Sequence, residues 1–525
     1  MYVRLHRLHA ALVVAAIAVS AHGDPSQPPL RVGRITIETI PIFSTTEESL
    51  GGFYRAANIL HVQTPPALIR RFLLFHEGDL YEPARLAETE RNLRLFDFLL
   101  SASVTAGPPH DGVVDVKVVT QDTWTTDVNG DFSNDGGITA YDVNAVQKDL
   151  FGTGSQLQFH VERGIERNTG SIEFLHPALF GPYWNLDTLV AKSSDGNEEK
   201  IDLERPLFSY TAPWTGGLLL DHLLRNERLY REGALAARFR QEHREVSASR
   251  SYVLQRDEGG SSSLVGGFDV LDDSFSRLPG RAGDIIPDGR HFRFLDAGFE
   301  STAFRFVKLD FVDNDLKEQD FNLGHFRSLR LALSPPLSGR PATWRLRAAE
   351  GRGHAFNADS FVLGQVTAST RSGTDRDTIV SCDVRTVTRI RTQYPQAFVA
   401  RARVDLGWRL DRDVQFLADG QNGLRAYPDF AFEGSRRVML NAEHRVYLGR
   451  ELLQLFGPGV AFFADSGQAV DGPFHGMKSD VGAGLRIGIA RYDSALIRID
   501  YAYALNASPL NRRGPVLSIS TQQAF

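Results

Sequence analysis

Asp127, Asn129, Asp131, Ser133 and Asp135 place oxygen-bearing side chains at every second position, which is the start of a calcium-loop pattern. An EF-hand also needs glycine at position 6 and a bidentate glutamate at position 12. This run has Phe132 and Ile138 there, so no metal site is expected. A strand with one polar face, and with Val128 and Phe132 on the other, accounts for the same alternation. A second candidate pairing is ionic. Val460, Phe462 and Ala464 form an apolar face that puts Asp465 on the opposite one, and a confined carboxylate needs a cation, for which Arg425 is the candidate. Exposed pairs are worth little, so these residues alone leave open a solvated Arg425 beside an ordinary carboxylate. No His-Glu-x-x-His, Gly-x-Ser-x-Gly or phosphate-binding glycine loop occurs, and the histidines are scattered singly. Neither enzymatic activity nor a cofactor is expected. Cys382, the single cysteine, is read as a loop or strand residue without a redox task.

The elements that position these residues begin with an export signal. Arg4 and Arg7 precede an apolar run over residues 10–19, and Ala21-His22-Gly23 supplies small residues for cleavage, so residues 1–23 read as a signal peptide. The run is near ten residues, where a spanning helix needs roughly 20, and no longer apolar stretch follows. A helical membrane protein is thereby excluded. The net charge of −6, with no basic block, argues against nucleic-acid binding. With one cysteine, the exported chain must be held by backbone pairing and packing rather than by an internal disulfide.

Residues 30–125 combine strand and helix signals and form a candidate small α+β domain. Residues 34–40 alternate as a strand, Pro65-Pro66 opens a short helix through Ile69, Phe72 and Leu73, and Glu82-Pro83 opens a second with Leu86, Leu93 and Phe96 on one face. Strands over 103–106 and 113–119 complete a β-α-α-β-β order. Residues 126–525 are all-β. The even positions of 398–408 are apolar and the odd ones include Arg401, Arg403 and Asp405; the same split recurs at 481–489 and 497–503. A soluble sandwich also alternates. An export signal, segments near ten residues with aromatic ends, and Arg and Asp on the non-apolar face together favour a transmembrane antiparallel β-barrel with a wet lumen. At about 25 residues per strand and connection, about 16 strands are expected. Leu517, Ile519 and Phe525 share one face of the closing strand.

Specific motifs carry a family resemblance. Phe75-His76-Glu77-Gly78-Asp79-Leu80-Tyr81, Leu86, Glu90-Arg91-Asn92-Leu93 and Asp115-Val116 resemble a POTRA domain, the unit that precedes BamA-like and TamA-like outer-membrane barrels. Asp149-Leu150-Phe151-Gly152-Thr153-Gly154 and Asp320-Phe321-Asn322-Leu323-Gly324 resemble the barrel region of that superfamily. Gly423-Leu424-Arg425-Ala426-Tyr427 is similar to the Val-Arg-Gly-Tyr-type motif of its infolded loop, with Ala426 where the family usually has glycine. Phe463-Ala464-Asp465-Ser466-Gly467 is similar to its Phe-x-Asp-x-Gly strand motif, and Gly482-Ala483-Gly484-Leu485-Arg486 fits the next strand.

The resemblance implies a loop lock built from Arg425, Tyr427, Asp465 and Gly467. It also implies a lateral seam between first and last strands, with Thr126, Val128 and Phe132 on one side and Leu517, Ile519 and Phe525 on the other. The expected function is insertion or export of polypeptides at the bacterial outer membrane, with the POTRA domain in the periplasm. Expected partners are outer-membrane lipids, unfolded outer-membrane or secreted polypeptides, and a periplasmic accessory protein or chaperone. A dedicated two-partner exporter and a passive or structural barrel are the alternatives.

Overall fold

A computed structural model describes residues 29–521, apart from 44–51, 53–54, 56–57, 60, 136–137, 165, 258, 281–285, 311, 313–318, 338–340, 374–375, 450–451, 453–455, 490–495 and 508–513. The expected signal segment, residues 1–23, and Phe525 lie outside the described residues, as do the side chains of Asp131, Ser133 and Asp135.

The N-terminal domain contains β1 (Arg31–Ile40), α1 (Pro66–Arg71), α2 (Pro83–Arg94), β2 (Leu99–Ala106) and β3 (Val113–Asp122). Proline at the first turn starts both helices, where its fixed φ fits and its missing N–H costs nothing. The sheet order is β1-β3-β2, with β1 parallel and β2 antiparallel to the central β3. Inward-facing Ile35, Val104, Val116 and Val118 bury against Ile69, Phe72, Leu86 and Leu93 of the helical layer. Removal of this apolar surface from water is what holds two short helices in place.

The barrel begins with β4 (Thr126–Asp135), β5 (Ile138–Leu150), β6 (Ser155–Arg163), β7 (Asn168–His176), β8 (Asn185–Ser193), β9 (Gly196–Arg205), β10 (Trp214–Arg231), β11 (Ala234–Asp257), β12 (Gly260–Arg277) and β13 (Arg290–Ala303). After a hairpin of β14 (Phe306–Leu309) and β15 (Gln319–Asn322) come β16 (His325–Ser334), β17 (Thr343–Asn357), β18 (Ser360–Arg371), β19 (Asp377–Ile390) and β20 (Gln396–Trp408). Beyond the short pair β21 (Phe416–Ala418) and β22 (Phe432–Gly434), the wall continues with β23 (Arg436–Tyr447), β24 (Phe456–Val470), β25 (Lys478–Ile489), β26 (Leu496–Ala504) and β27 (Pro515–Ser520). Neighbouring wall strands are antiparallel, and β27 meets β4 to close the ring.

The described residues form 20 wall strands, not the expected 16 or so. The correction lies in the connections. Several hairpins are tighter than the allowance made for them; β10 and β11, for example, are joined by Glu232 and Gly233 alone, at φ 51° and 78°. Paired left-handed residues match the twist of the flanking strands, which is why so short a loop closes.

The register also decides between barrel and sandwich. On β24 to β26 the residues turned outward are exposed and apolar: Phe462 56%, Leu485 49% and Tyr501 56%. Their inward neighbours Asp465, Arg486 and Asp500 are buried and charged. An apolar outside over a polar inside is the distribution of a lipid-facing band around a wet lumen. No helix among the described residues is long and apolar enough to cross a membrane.

Candidate functional site

The connection over residues 409–435 leaves β20 at the end of the barrel far from the N-terminal domain and folds into the lumen. Strands β21 and β22 pair to form its stem. At its tip, Asp419 caps a short 3-10 turn by accepting from Asn422 N at 3.0 Å, and it also accepts from Phe430 N at 2.8 Å. Gly423 follows at φ 112°, a conformation that side chains rarely adopt, and turns the chain so that Arg425 faces the wall.

Arg425 forks onto Asp465 of β24, Nε to Oδ2 at 2.7 Å and Nη2 to Oδ1 at 3.1 Å. Its Nη1 donates to Glu443 of β23 at 2.8 Å and to Asp500 of β26 at 3.2 Å. The guanidinium also lies 3.4 Å from the centroid of Phe463. The carboxylates are shared. Glu443 accepts from Arg445 at 2.9 Å and from Arg486 at 2.9 Å, and Arg486 donates to Asp500 at 2.6 Å. Asn441 joins the loop to the wall, donating to Gly423 O at 2.7 Å and to Asp465 at 2.8 Å. Glycines on β25 make the room. A Cβ at Gly482 would stand 2.2 Å from the Phe463 ring, and one at Gly484 would stand 2.0 Å from Asp500.

Tyr427 is in the same loop but engages different groups: its hydroxyl lies 3.0 Å from Ser479 O and 3.2 Å from Asn506 O. At Gly467 the space left by the missing side chain is taken by Met439, whose Sδ would be 2.4 Å from a Cβ there. Ala426 is absent from the left-handed residues, so its backbone makes no demand for glycine. Sequence reasoning missed Glu443, Asn441, Arg486 and Asp500 as members of the cluster. Their inward position on alternating strands was legible, but their meeting point depends on a register that local sequence does not encode. Chemically the cluster is a set of matched fixed charges, suited to pinning a loop rather than moving protons or bonds. No group of three or more His, Cys, Asp or Glu side chains among the described residues is placed to hold a metal.

The seam is the second feature. β4 pairs with β5 along its whole length, from Thr126 opposite Gln147 to Asp135 opposite Ile138, and β27 pairs with β26 from Pro515 to Ser520. Between β27 and β4 the described register consists of Ser518 opposite Ser133 and Ile519 opposite Phe132. It includes Phe132 and Ile519 of the expected seam residues; positions 525 and 523, which the same register would set opposite Thr126 and Val128, lie outside the described residues. Val128 and Leu517 face outward and are exposed, and Asp127 turns inward, 3.5 Å from Lys148.

The third feature is the dock of the N-terminal domain against the barrel's near-end turns. Glu88 of α2 accepts from Tyr210 N at 2.8 Å and Ser209 Oγ at 3.0 Å, in the turn between β9 and β10. Burial pushes its carboxyl up from 4.5 to about 7, against the opposing effect of those hydrogen bonds. Arg94 reaches Asp320 at 2.7 Å, Tyr183 donates to Phe72 O at 2.5 Å, and the Tyr183 ring stacks on Phe208 at 4.3 Å.

No family model matches the chain. It is 27% identical over 166 residues to the outer membrane protein assembly factor BamA of Neorickettsia risticii (strain Illinois), a match that takes in 30% of this chain and 21% of that relative. Among solved structures it is similar to CdiB from Acinetobacter baumannii, with TM-score 0.49 and 13% identity over 94% of this chain and 74% of the other. BamA from Haemophilus ducreyi lacking POTRA domains 1–3 gives TM-score 0.38 and 11% identity over 94% of this chain and 84% of the other. At these scores no residue role is carried across. Over 166 residues the chain is thus similar to an assembly factor of the outer membrane, and its barrel, apolar outside and charged inside, is that of an outer-membrane protein.

Proposed function

We propose that the protein inserts or exports polypeptides at the outer membrane, with the seam between β4 and β27 as the place where a client strand pairs. The observation that supports the reading is that the ring closes where its first and last strands meet, with Ile519 of β27 opposite Phe132 of β4. An unpaired strand edge is a template for another strand, so a seam that opens offers backbone donors and acceptors to a client. On this reading residues 30–125 are a single POTRA-type domain in the periplasm. Its edge strands β1 and β2 are where clients, a chaperone or an accessory protein would add a strand, and outer-membrane lipids surround the barrel.

The reading is tested by closing the seam covalently. Phe132→Cys with Ile519→Cys, in a Cys382→Ser background, places thiols on directly opposite residues, whose spacing suits a disulfide. Oxidation should leave the barrel folded, judged by its gel mobility without boiling, while assembly of other outer-membrane or secreted proteins falls severalfold in cells that depend on this copy. Undiminished assembly with the disulfide formed overturns the seam reading.

The dedicated exporter, which passes one partner through the lumen, draws on the lumenal chamber of about 690 Å³. It requires the loop to withdraw. That loop is held on the opposite wall as well, where Arg290 of β13 binds Asp411 at 2.7 Å and Asp413 at 2.8 Å, and Tyr230 of β10 stacks on Phe430 at 3.9 Å. Depletion followed by proteomics of outer membrane and medium separates the two: loss of many barrels favours insertion, and loss of one secreted protein favours export.

A further inference from the structure

The lumenal chamber lies between Gln415, Phe416 and Leu417 of the infolded loop and Pro206 and Leu207 of the near-end turn. Most cations that line it are engaged. Arg345 binds Asp269 across the lumen, Arg330 binds Glu300 at 2.6 Å, and Arg437 and Arg403 bind Asp405 at 2.7 and 3.1 Å. Arg347, one inward step along β17 from Arg345, makes no hydrogen bond or ion pair with any described residue. Asp269, Glu245 and Asp296 act on it from a distance, but Asp269 is held by Arg345, Glu245 lies 3.6 Å from His243 and Asp296 lies 3.8 Å from Arg330.

A half-buried guanidinium that lines a chamber with no ion-pair partner in contact among the described residues has donors to offer an anion, and its planar fork suits a carboxylate. Hydroxyl donors line the same chamber. Ser247 sits beside Asp269 in the β11–β12 ladder, so the wall that Arg345 reaches also presents Ser247, with Ser249 and Ser263 nearby. None of these three hydroxyls is bonded to a described protein group.

We propose that the chamber is a binding site for a carboxylate, gripped by Arg347 with the serine hydroxyls as additional donors. The carboxylate has two possible sources, a small dicarboxylate in the lumen or an acidic side chain of a polypeptide held there. The site does not depend on the seam opening.

The test is calorimetric titration of the full-length protein in detergent at low salt, with succinate and, separately, with a terminally blocked Gly-Glu-Gly peptide. Binding by either, weakened at least tenfold by Arg347→Gln, partly restored by Arg347→Lys and reduced by added salt, supports the site. Succinate binding assigns a small solute, and binding by the peptide alone assigns a polypeptide. Gel mobility without boiling checks that each variant is folded. If neither probe binds, or if folded Arg347→Gln binds like the unaltered protein, the proposal is overturned.

Discussion

The two banks of the seam are held by different means and from opposite ends. On the β23–β26 side, the infolded loop drives Arg425 into a buried cluster with Glu443, Asp465 and Asp500. On the β4–β9 side, support comes from below, where Glu88, Phe72 and Arg71 of the N-terminal domain contact the turns at Ser209, Tyr183 and Ala178. If the seam opens as proposed, a barrel supported on both sides of it can yield there without losing either support, because local stability follows the local density of packing and hydrogen bonds.

The largest effect should come from breaking the loop-side bank. Arg425→Ala leaves three carboxylates facing one another with one cation fewer, and removing one partner of a buried charge network costs about 3–5 kcal/mol. A clear fall in the unfolding midpoint of the detergent-folded barrel is expected. Arg425→Lys should recover only part of it, since an ammonium cannot reproduce the fork onto Asp465. An unchanged midpoint in Arg425→Ala would mean that the cluster does not anchor this bank.

The dock-side bank should respond to pH. Undocked, Glu88 is a solvated carboxyl with an ordinary value of 4.5; docked, burial holds its proton to about 7. The docked state therefore binds the additional proton between those values. The contribution is full below the ordinary value and is lost as pH rises through about 7, a change on the order of 3 kcal/mol. Hydrogen exchange of α2 should be slower at pH 5.5 than at pH 8, and Glu88→Gln, which stays neutral, should flatten the difference. Equal exchange at both pH values in the unaltered protein would remove Glu88 as a determinant of docking.

The banks also differ in what the sequence made legible. Period-2 alternation exposed the wall on the loop side, since Phe462, Leu485 and Tyr501 face outward while Asp465 and Arg486 face inward. Alternation assigns a face but no partner. Arg425 and Asp500 are 75 positions apart, and only the ladders from β23 to β26 bring them together. The dock was less legible still, because Glu88 on a helix reads as a solvated residue until Ser209 and Tyr210 cover it. The strand number was misjudged for a similar reason, since loop length depends on which residues accept left-handed backbone, as Glu232 does ahead of Gly233. The seam was inferred from resemblance, and its described register holds Phe132 and Ile519.

The smallest effect sharpens the loop-side bank. Ala426 occupies the position where related loops usually carry glycine, yet its backbone is not left-handed, and its N–H points at Asp480 Oδ2, 3.4 Å away. Its methyl is buried. Ala426→Gly would give the unfolded chain more freedom and remove that packing, for a loss of about 0.5–1 kcal/mol. The expected outcome is a small fall in the unfolding midpoint, with the bonds of Arg425 intact. A rise in midpoint would show that alanine strains the loop, and the anchoring strength assigned to this bank would then have to be shared between the charge cluster and relief of that strain.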